Sequence, residues 1–243
     1  MWLNLHKIFT TLSHNPQIRT ILLTGAGPRA FTAGLDVQAA SQGPLTRDAT
    51  TDPARTANSL RRHIYEFQDC ISAIEKCEKP VIAVLHGISF GLAIDMSLAC
   101  DVRISTRDAR FSVKEVDIGI AADIGTLSRL PKAVGNFSWV KDVTLSARIF
   151  GSEEALRVGL VSSVYGDKTE AVAEALKLAS LIASKSPVAT LGTKELLNYS
   201  RDHGVADGLQ YTAVWNAAML QTSDTKDAML SGLQKRKPTF PKL

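Results

Sequence analysis

The stretch KPVIAVLHG, residues 79–87, narrows most what this chain can fold into. Five consecutive apolar residues, Val81 to Leu85, leave no polar alternation, so a strand there has no face to give to water. Such a strand belongs inside a sheet covered on both sides, and sheets of that kind are parallel and flanked by helices. The apolar character runs on to Leu98, but His86, Gly87, Ser89, Gly91 and Asp95 interrupt it, which excludes a membrane span there.

RTILLTGAG, 19–27, reads as a second strand ending in a glycine turn, and shorter strands are expected at 102–105 and 159–164. Between the first two, 41–53 is rich in Ser, Thr, Pro, Gly and Asp and reads as a surface loop, followed by an amphipathic helix over 54–77. Trp2, Leu5, Ile8, Phe9 and Leu12 have helical spacing at the start of the chain. After Asp167 the segments 168–184, 188–201, 205–221 and 225–233 all have helical spacing with no strand between them. The chain therefore divides into an α/β core over 1–184 and a helical region over 185–243.

The 243 residues are 45% apolar, enough for a sizeable core. A formal charge of +4 without a basic run interleaved with aromatics suits an anionic small molecule or subunit contacts, not nucleic acid. Cys70, Cys77 and Cys100 form neither an even set nor a CxxC pair and read as buried, reduced thiols. TGAGPRA formally offers Gly25-x-Gly27-x-x-Ala30 as a dinucleotide fingerprint. Pro28, Thr32 and Gly34 interrupt the helix that fingerprint needs, and no acid ends a strand about 20 residues on, so nicotinamide binding is excluded.

Two loops and one acidic run carry the chemistry. In FTAGLD, 31–36, Gly34 permits a sharp turn that exposes the Leu35 amide. In HGISFGLAIDMSLACD, 86–101, the chain turns through Gly87 and Gly91 into a helix expected to reach about residue 100. The amide near Leu92 lacks an intrahelical acceptor and lies at the positive end of the dipole. Two such amides make an oxyanion hole. VKEVDIGIAAD, 113–123, sets Glu115, Asp117 and Asp123 among residues that normally line a core. Bland readings stand beside these: Asp95 as a helix cap, Asp36 and Asp101 as turn or cap residues, and His86 as a packed histidine.

AFTAGLD, KPVIAVLHGISFGLAIDMSLACD, FSVKEVDIGIAADIGTLSRLP and EALRVGLVSSV resemble, in that order, the blocks of the crotonase (enoyl-CoA hydratase/isomerase) superfamily. The likeness runs from Arg19 to nearly the end of the chain. It implies a spiral of ββα units with a carboxy-terminal helical trimerisation region, and trimers that pair into a hexamer. The set Asp95, Glu115 and Asp123 is most similar to the dienoyl-CoA isomerases, which move a 3-trans,5-cis diene to the conjugated 2-trans,4-trans diene. The hydratases have glutamates matching positions 95 and 115 and no acid matching 123, and the 3,2-enoyl-CoA isomerases rely on one acid.

The resemblance implies Asp123 as the base at C2, Glu115 as the proton donor at C6 and Asp95 as a residue that orients or tunes both. The amides of Leu35 and Leu92 would hold the thioester oxygen, and Asp117 is left structural. Thr32, Ala33 and Gly34 are implied near the adenine of coenzyme A, with Lys235 and Arg236 available to its phosphates. Coenzyme A is part of the substrate, so neither a separate cofactor nor a metal is implied. An enoyl-CoA hydratase, a 3,2-enoyl-CoA isomerase and a catalytically silent acyl-CoA-binding subunit are the alternatives.

Two departures stand out. The isomerases commonly carry three glycines where this chain has Gly91, Leu92 and Ala93, so a side chain is expected to narrow the acyl pocket or shift the turn. Relatives also have a further strand before the segment matching Met1, which implies either an amino-terminally shortened chain or a misassigned start. The ending Pro-Lys-Leu resembles the Ser-Lys-Leu peroxisomal address, with a mitochondrial location as the alternative.

Overall fold

The computed structural model describes residues 2–35 and 52–243. Most of the expected loop over 41–53, and Asp36, lie outside them. Helix α1 (Trp2–Ser13) leads into β1 (Ile21–Thr24) and β2 (Ala30–Thr32), and helix α2 (Pro53–Lys76) follows. Next come β3 (Val81–Leu85), β4 (Ile88–Phe90), α3 (Leu92–Leu98), β5 (Val102–Thr106) and β6 (Arg110–Ser112). A 3₁₀ turn (Glu115–Ile118), α4 (Thr126–Ala133), α5 (Phe137–Ser146), β7 (Phe150–Gly151), α6 (Ser152–Arg157) and β8 (Ser163–Tyr165) complete the core. Helices α7 (Lys168–Ala183), α8 (Pro187–Asp202), α9 (Val205–Met219) and α10 (Ser223–Leu233) close the chain.

One sheet has the order β1-β3-β5-β8 and is parallel throughout. The other has the order β2-β4-β6-β7, with only β7 antiparallel. The repeat is thus a strand in the first sheet, a turn, a short strand in the second sheet, and a helix. This is the expected ββα arrangement.

Strand β3 explains why its sequence has no polar alternation. Val81, Ala83 and Leu85 enter the main core, which is shared with α2, α3 and the second sheet. Ile82 and Val84 point the other way, into a smaller cluster with Ile104 and with Ala171, Ala175 and Ala179 of α7. A period of two thus divides one apolar run between two cores. The alanines recur every four residues, so α7 lies against the sheet with a stripe of small side chains.

Helix α2 begins where Asp52 accepts from the amides of Ala54 and Arg55, at 2.9 and 3.0 Å, with Pro53 in the first turn. Trp2 of α1 stacks on Phe67 of α2 at 4.6 Å between ring centroids. All three cysteines are free and buried, as expected.

Two expected elements moved. The strand anticipated at 159–164 occupies only Ser163–Tyr165. Leu160 and Val161 are buried, but their amides turn back to the Ala155 carbonyl at 2.8 and 3.4 Å, so their apolar character plugs the core at the end of α6. Helix α3 ends at Leu98, two residues early. Among the described residues no helix is long and apolar enough to cross a membrane.

Asp101 does act as a clasp at the turn before β5. Its Oδ2 accepts from the Val81 amide at 2.7 Å and from Lys194 Nζ at 2.8 Å, and the same ammonium reaches the Lys79 carbonyl at 3.2 Å. Burial holds the Asp101 carboxyl above its ordinary range despite the Lys194 charge. Lys194→Ala should therefore lower the free energy of unfolding by about 3 kcal/mol, read from urea denaturation. That is the lower end for a broken buried pair, because Asp101 can take up a proton.

Candidate active site

Strands β2, β4 and β6 lie side by side and parallel, and the chain leaving each one supplies a part of the site. After β2 come Thr32, Ala33, Gly34 and Leu35; after β4, Gly91 and Leu92; after β6, Glu115. Gly34 has φ +93° and Gly91 has φ +55°, conformations that L side chains rarely adopt. A Cβ at Gly34 would lie 3.1 Å from the Phe90 carbonyl oxygen and 3.7 Å from the Gly91 Cα. The two turns therefore touch glycine to glycine, and each is followed by one of the two leucines, Leu35 and Leu92. The Gly91 amide is itself anchored on the Ser112 carbonyl at 2.9 Å.

Leu92 opens α3, so its amide has no intrahelical acceptor. Its side chain, half-buried, packs against the main core. Thr32 Oγ1 accepts from the Gly34 amide at 3.3 Å and steadies the first turn. Lys235 and Arg236 are exposed beyond α10, and no hydrogen bond joins them to Thr32, Ala33 or Gly34.

Glu115 stands beside the second turn: its Oε1 is 3.4 Å from where a Gly91 Cβ would be. Its Oε2 is buried with no hydrogen-bond partner among the described residues. Burial raises the proton affinity of this carboxyl, and the negative charges of Asp95 and Asp123 raise it further. Glu115 therefore feels the charges of two acids that come from other segments.

Asp95 is only 2% exposed. The cap reading needs correcting in one respect, because the helix it caps is not its own. Its Oδ1 accepts from the Thr126 amide at 2.6 Å and the Thr126 hydroxyl at 2.8 Å, at the start of α4, where Gly125 has no side chain to offer. Burial raises the Asp95 carboxyl, and the two Thr126 donors and the Arg129 charge oppose that rise.

Asp123 is exposed on the wall of a cleft of about 510 Å³ that Gln68, Ala122, Ile124 and Leu127 also line. Gln68 of α2 donates to the Asp123 carbonyl at 2.5 Å and holds this turn from the opposite side. The cleft ends in an ion network in which Glu75 binds Arg129 and Arg201, and Asp202 binds Arg201 and Lys132.

Asp117 pairs with Lys114 at 2.7 Å on the surface, which suits a structural role. His86 is buried, with Nε2 on the Gly27 carbonyl at 2.8 Å, a packed histidine as expected. Sequence reading missed Gln68 and Thr126. Gly-Thr ahead of a helical pattern is a start signal that points to Thr126, whereas nothing local marks Gln68. Among the described residues no three His, Cys, Asp or Glu side chains group as a metal site.

The profile of the Enoyl-CoA hydratase/isomerase family matches residues 1–242. The mouse mitochondrial Delta(3,5)-Delta(2,4)-dienoyl-CoA isomerase is 45% identical, over 100% of this chain and 74% of the mouse protein. The Arabidopsis thaliana peroxisomal Delta(3,5)-Delta(2,4)-dienoyl-CoA isomerase is 43% identical, over 98% and 84%. Among solved structures, an enoyl-CoA hydratase from Bacillus anthracis superposes with a TM-score of 0.86 at 27% identity, covering 99% of this chain and 88% of that one.

Two outcomes follow from the geometry. Gly34→Ala forces the turns apart, and the rate of a reaction that builds charge on an oxygen held by both amides should fall about 100-fold, measured as kcat. Glu115 has a raised pKa, so its ionisation opposes folding above that pKa and has no effect below the ordinary glutamate value. Glu115→Gln should therefore raise the Tm at pH 8, by about 2–4 °C for each kcal/mol relieved, and the gain should vanish near pH 4.

Proposed function

This chain belongs to the enoyl-CoA hydratase/isomerase family, and from that premise we propose that it is a dienoyl-CoA isomerase of unsaturated fatty-acid β-oxidation. It takes a 3-trans,5-cis-dienoyl-CoA to the 2-trans,4-trans isomer. One observation carries this choice within the family: a third acid, Asp123, is close enough to Glu115 for its charge to raise the proton affinity of that carboxyl. The names of relatives at 43–45% identity support it.

The thioester oxygen lies between the Leu35 and Leu92 amides, which makes the C2 hydrogen acidic. Asp123 removes that proton, and the electron pair spreads through the diene onto the oxygen. Glu115, whose proton affinity is raised by burial and by two neighbouring charges, delivers a proton to C6. One C–H bond breaks at C2 and one forms at C6, so the double bonds move from 3,5 to 2,4. Asp123 ends protonated and Glu115 ionised, and exchange of a proton between them or with water resets the site. The side chains and backbone amides suffice for this chemistry, and coenzyme A enters as part of the substrate.

Hydration is the enzyme alternative. It needs a water held between two carboxylates, and Asp95 Oδ1 is already committed to two donors from Thr126. Retention of all three acids weighs against a silent acyl-CoA-binding subunit. Thr32, Ala33 and Gly34 are proposed beside the adenine, and Lys235 or Arg236, from the same or a neighbouring subunit of a trimer, at the phosphates. The Pro-Lys-Leu ending supports a peroxisomal location, the compartment in the Arabidopsis relative's name; the mouse relative's name gives the mitochondrial alternative.

Purified protein should raise conjugated-diene absorbance from a 3,5-dienoyl-CoA. Asp123→Asn should lose that activity by about 100- to 10,000-fold while still binding acyl-CoA in calorimetry. A folded protein that leaves the absorbance unchanged sinks the proposal, and a 3-hydroxyacyl product from an enoyl-CoA supports the hydratase instead.

A further inference from the structure

The contact between Asp95 and Thr126 joins two segments that each carry another part of the site. Asp95 lies three residues after Leu92 in α3, and Thr126 lies three residues after Asp123. Thr126 is completely buried, and its amide and hydroxyl converge on one carboxylate oxygen at 2.6 and 2.8 Å. Capping α4 requires only the amide bond. The hydroxyl is a second, charge-assisted donor that the helix end does not need.

We propose that Thr126 is a positioning residue of the isomerisation: its hydroxyl fixes Asp95 and so locks the turn bearing Asp123 against the helix bearing the Leu92 amide. The inference rests on the isomerase reading above. Nothing else in the contact serves chemistry directly, since Thr126 touches Asp95 and not the cleft that Asp123 lines.

The link also has an electrical consequence. Arg129 and the two Thr126 donors favour the ionised form of Asp95, and burial opposes it. The Asp95 charge, with that of Asp123, then raises the proton affinity of Glu115. Removing the hydroxyl lets Asp95 take up a proton more readily, which weakens its repulsion of an ionised Glu115. The Glu115 pKa falls as a result. Glu115 must be protonated to donate, so the alkaline limb of kcat moves to lower pH. Arg129 stays on Glu75 and Ser72, at 2.9 and 3.0 Å, and its contribution is unchanged.

The test compares wild type, Thr126→Val, which keeps the shape and the amide but loses the hydroxyl, and Thr126→Ser, which keeps both donors. Each is assayed on a 3,5-dienoyl-CoA across pH, with folding followed by circular dichroism. T126V should lose about tenfold in kcat, the effect of one hydrogen bond to a charged group, with KM within about twofold and the alkaline limb at lower pH. T126S should restore both. If T126V does not fold, T126A takes its place and is read in the same way. A folded hydroxyl-free variant with wild-type kcat, an unshifted limb, or a loss that T126S does not restore overturns the inference while leaving the isomerase intact. Wild type that forms no conjugated diene overturns the isomerase reading itself, and this inference with it.

Discussion

A strand buried on both faces can exist only between two cores, and β3 meets that condition by sending alternate residues to each. Full burial of each Val, Leu or Ile side chain is worth about 1.5–3 kcal/mol relative to exposure. The strand is also held at its ends. Asp101 receives the Val81 amide at one end, and at the other His86 grips the Gly27 carbonyl next to the β1–β2 turn. What leaves β3 is therefore placed by the core: the Gly87 turn, β4, Gly91 and the Leu92 amide. The proposed oxyanion hole inherits its position from a strand that has no chemistry of its own.

Asp95 and Glu115 follow the opposite logic, because burial holds both in places that disfavour their charges. Glu115 keeps a buried oxygen that has no partner among the described residues, and two like charges nearby. A buried acceptor left without a partner costs about 1–3 kcal/mol. The same surroundings give a glutamate that keeps its proton where an ordinary one would lose it, so the instability and the chemical use have one cause.

Much of this was legible in the sequence, and the misses share a physical reason. The apolar run of β3, the helical spacing after Asp167 and the glycines of both turns are local signals, and each corresponds to an observed element. The second sheet was not visible because strands of two or three residues are too short to show alternation. Leu160 and Val161 read as strand because periodicity cannot separate a buried plug from a short strand. Asp95 was legible as an acid of the site and as a cap. Its partner, 31 residues away, was not, because which helix it caps is settled by tertiary packing. The apolar residues around Glu115 also surprised: Val116, Ile118 and Ile120 are exposed.

The ion pairs along α8 add a property of their own. Lys194, near its middle and itself buried, pairs with an Asp101 that is mostly shielded, whereas Asp202 at its end pairs with Arg201 and Lys132 where water enters. Dissolved ions screen exposed pairs strongly and buried ones weakly. The grip on this helix is therefore graded along its length. High ionic strength loosens its end, next to the cleft beyond Asp123, and leaves its centre pinned to the start of β3, so the helix has a fixed pivot and a salt-sensitive tip.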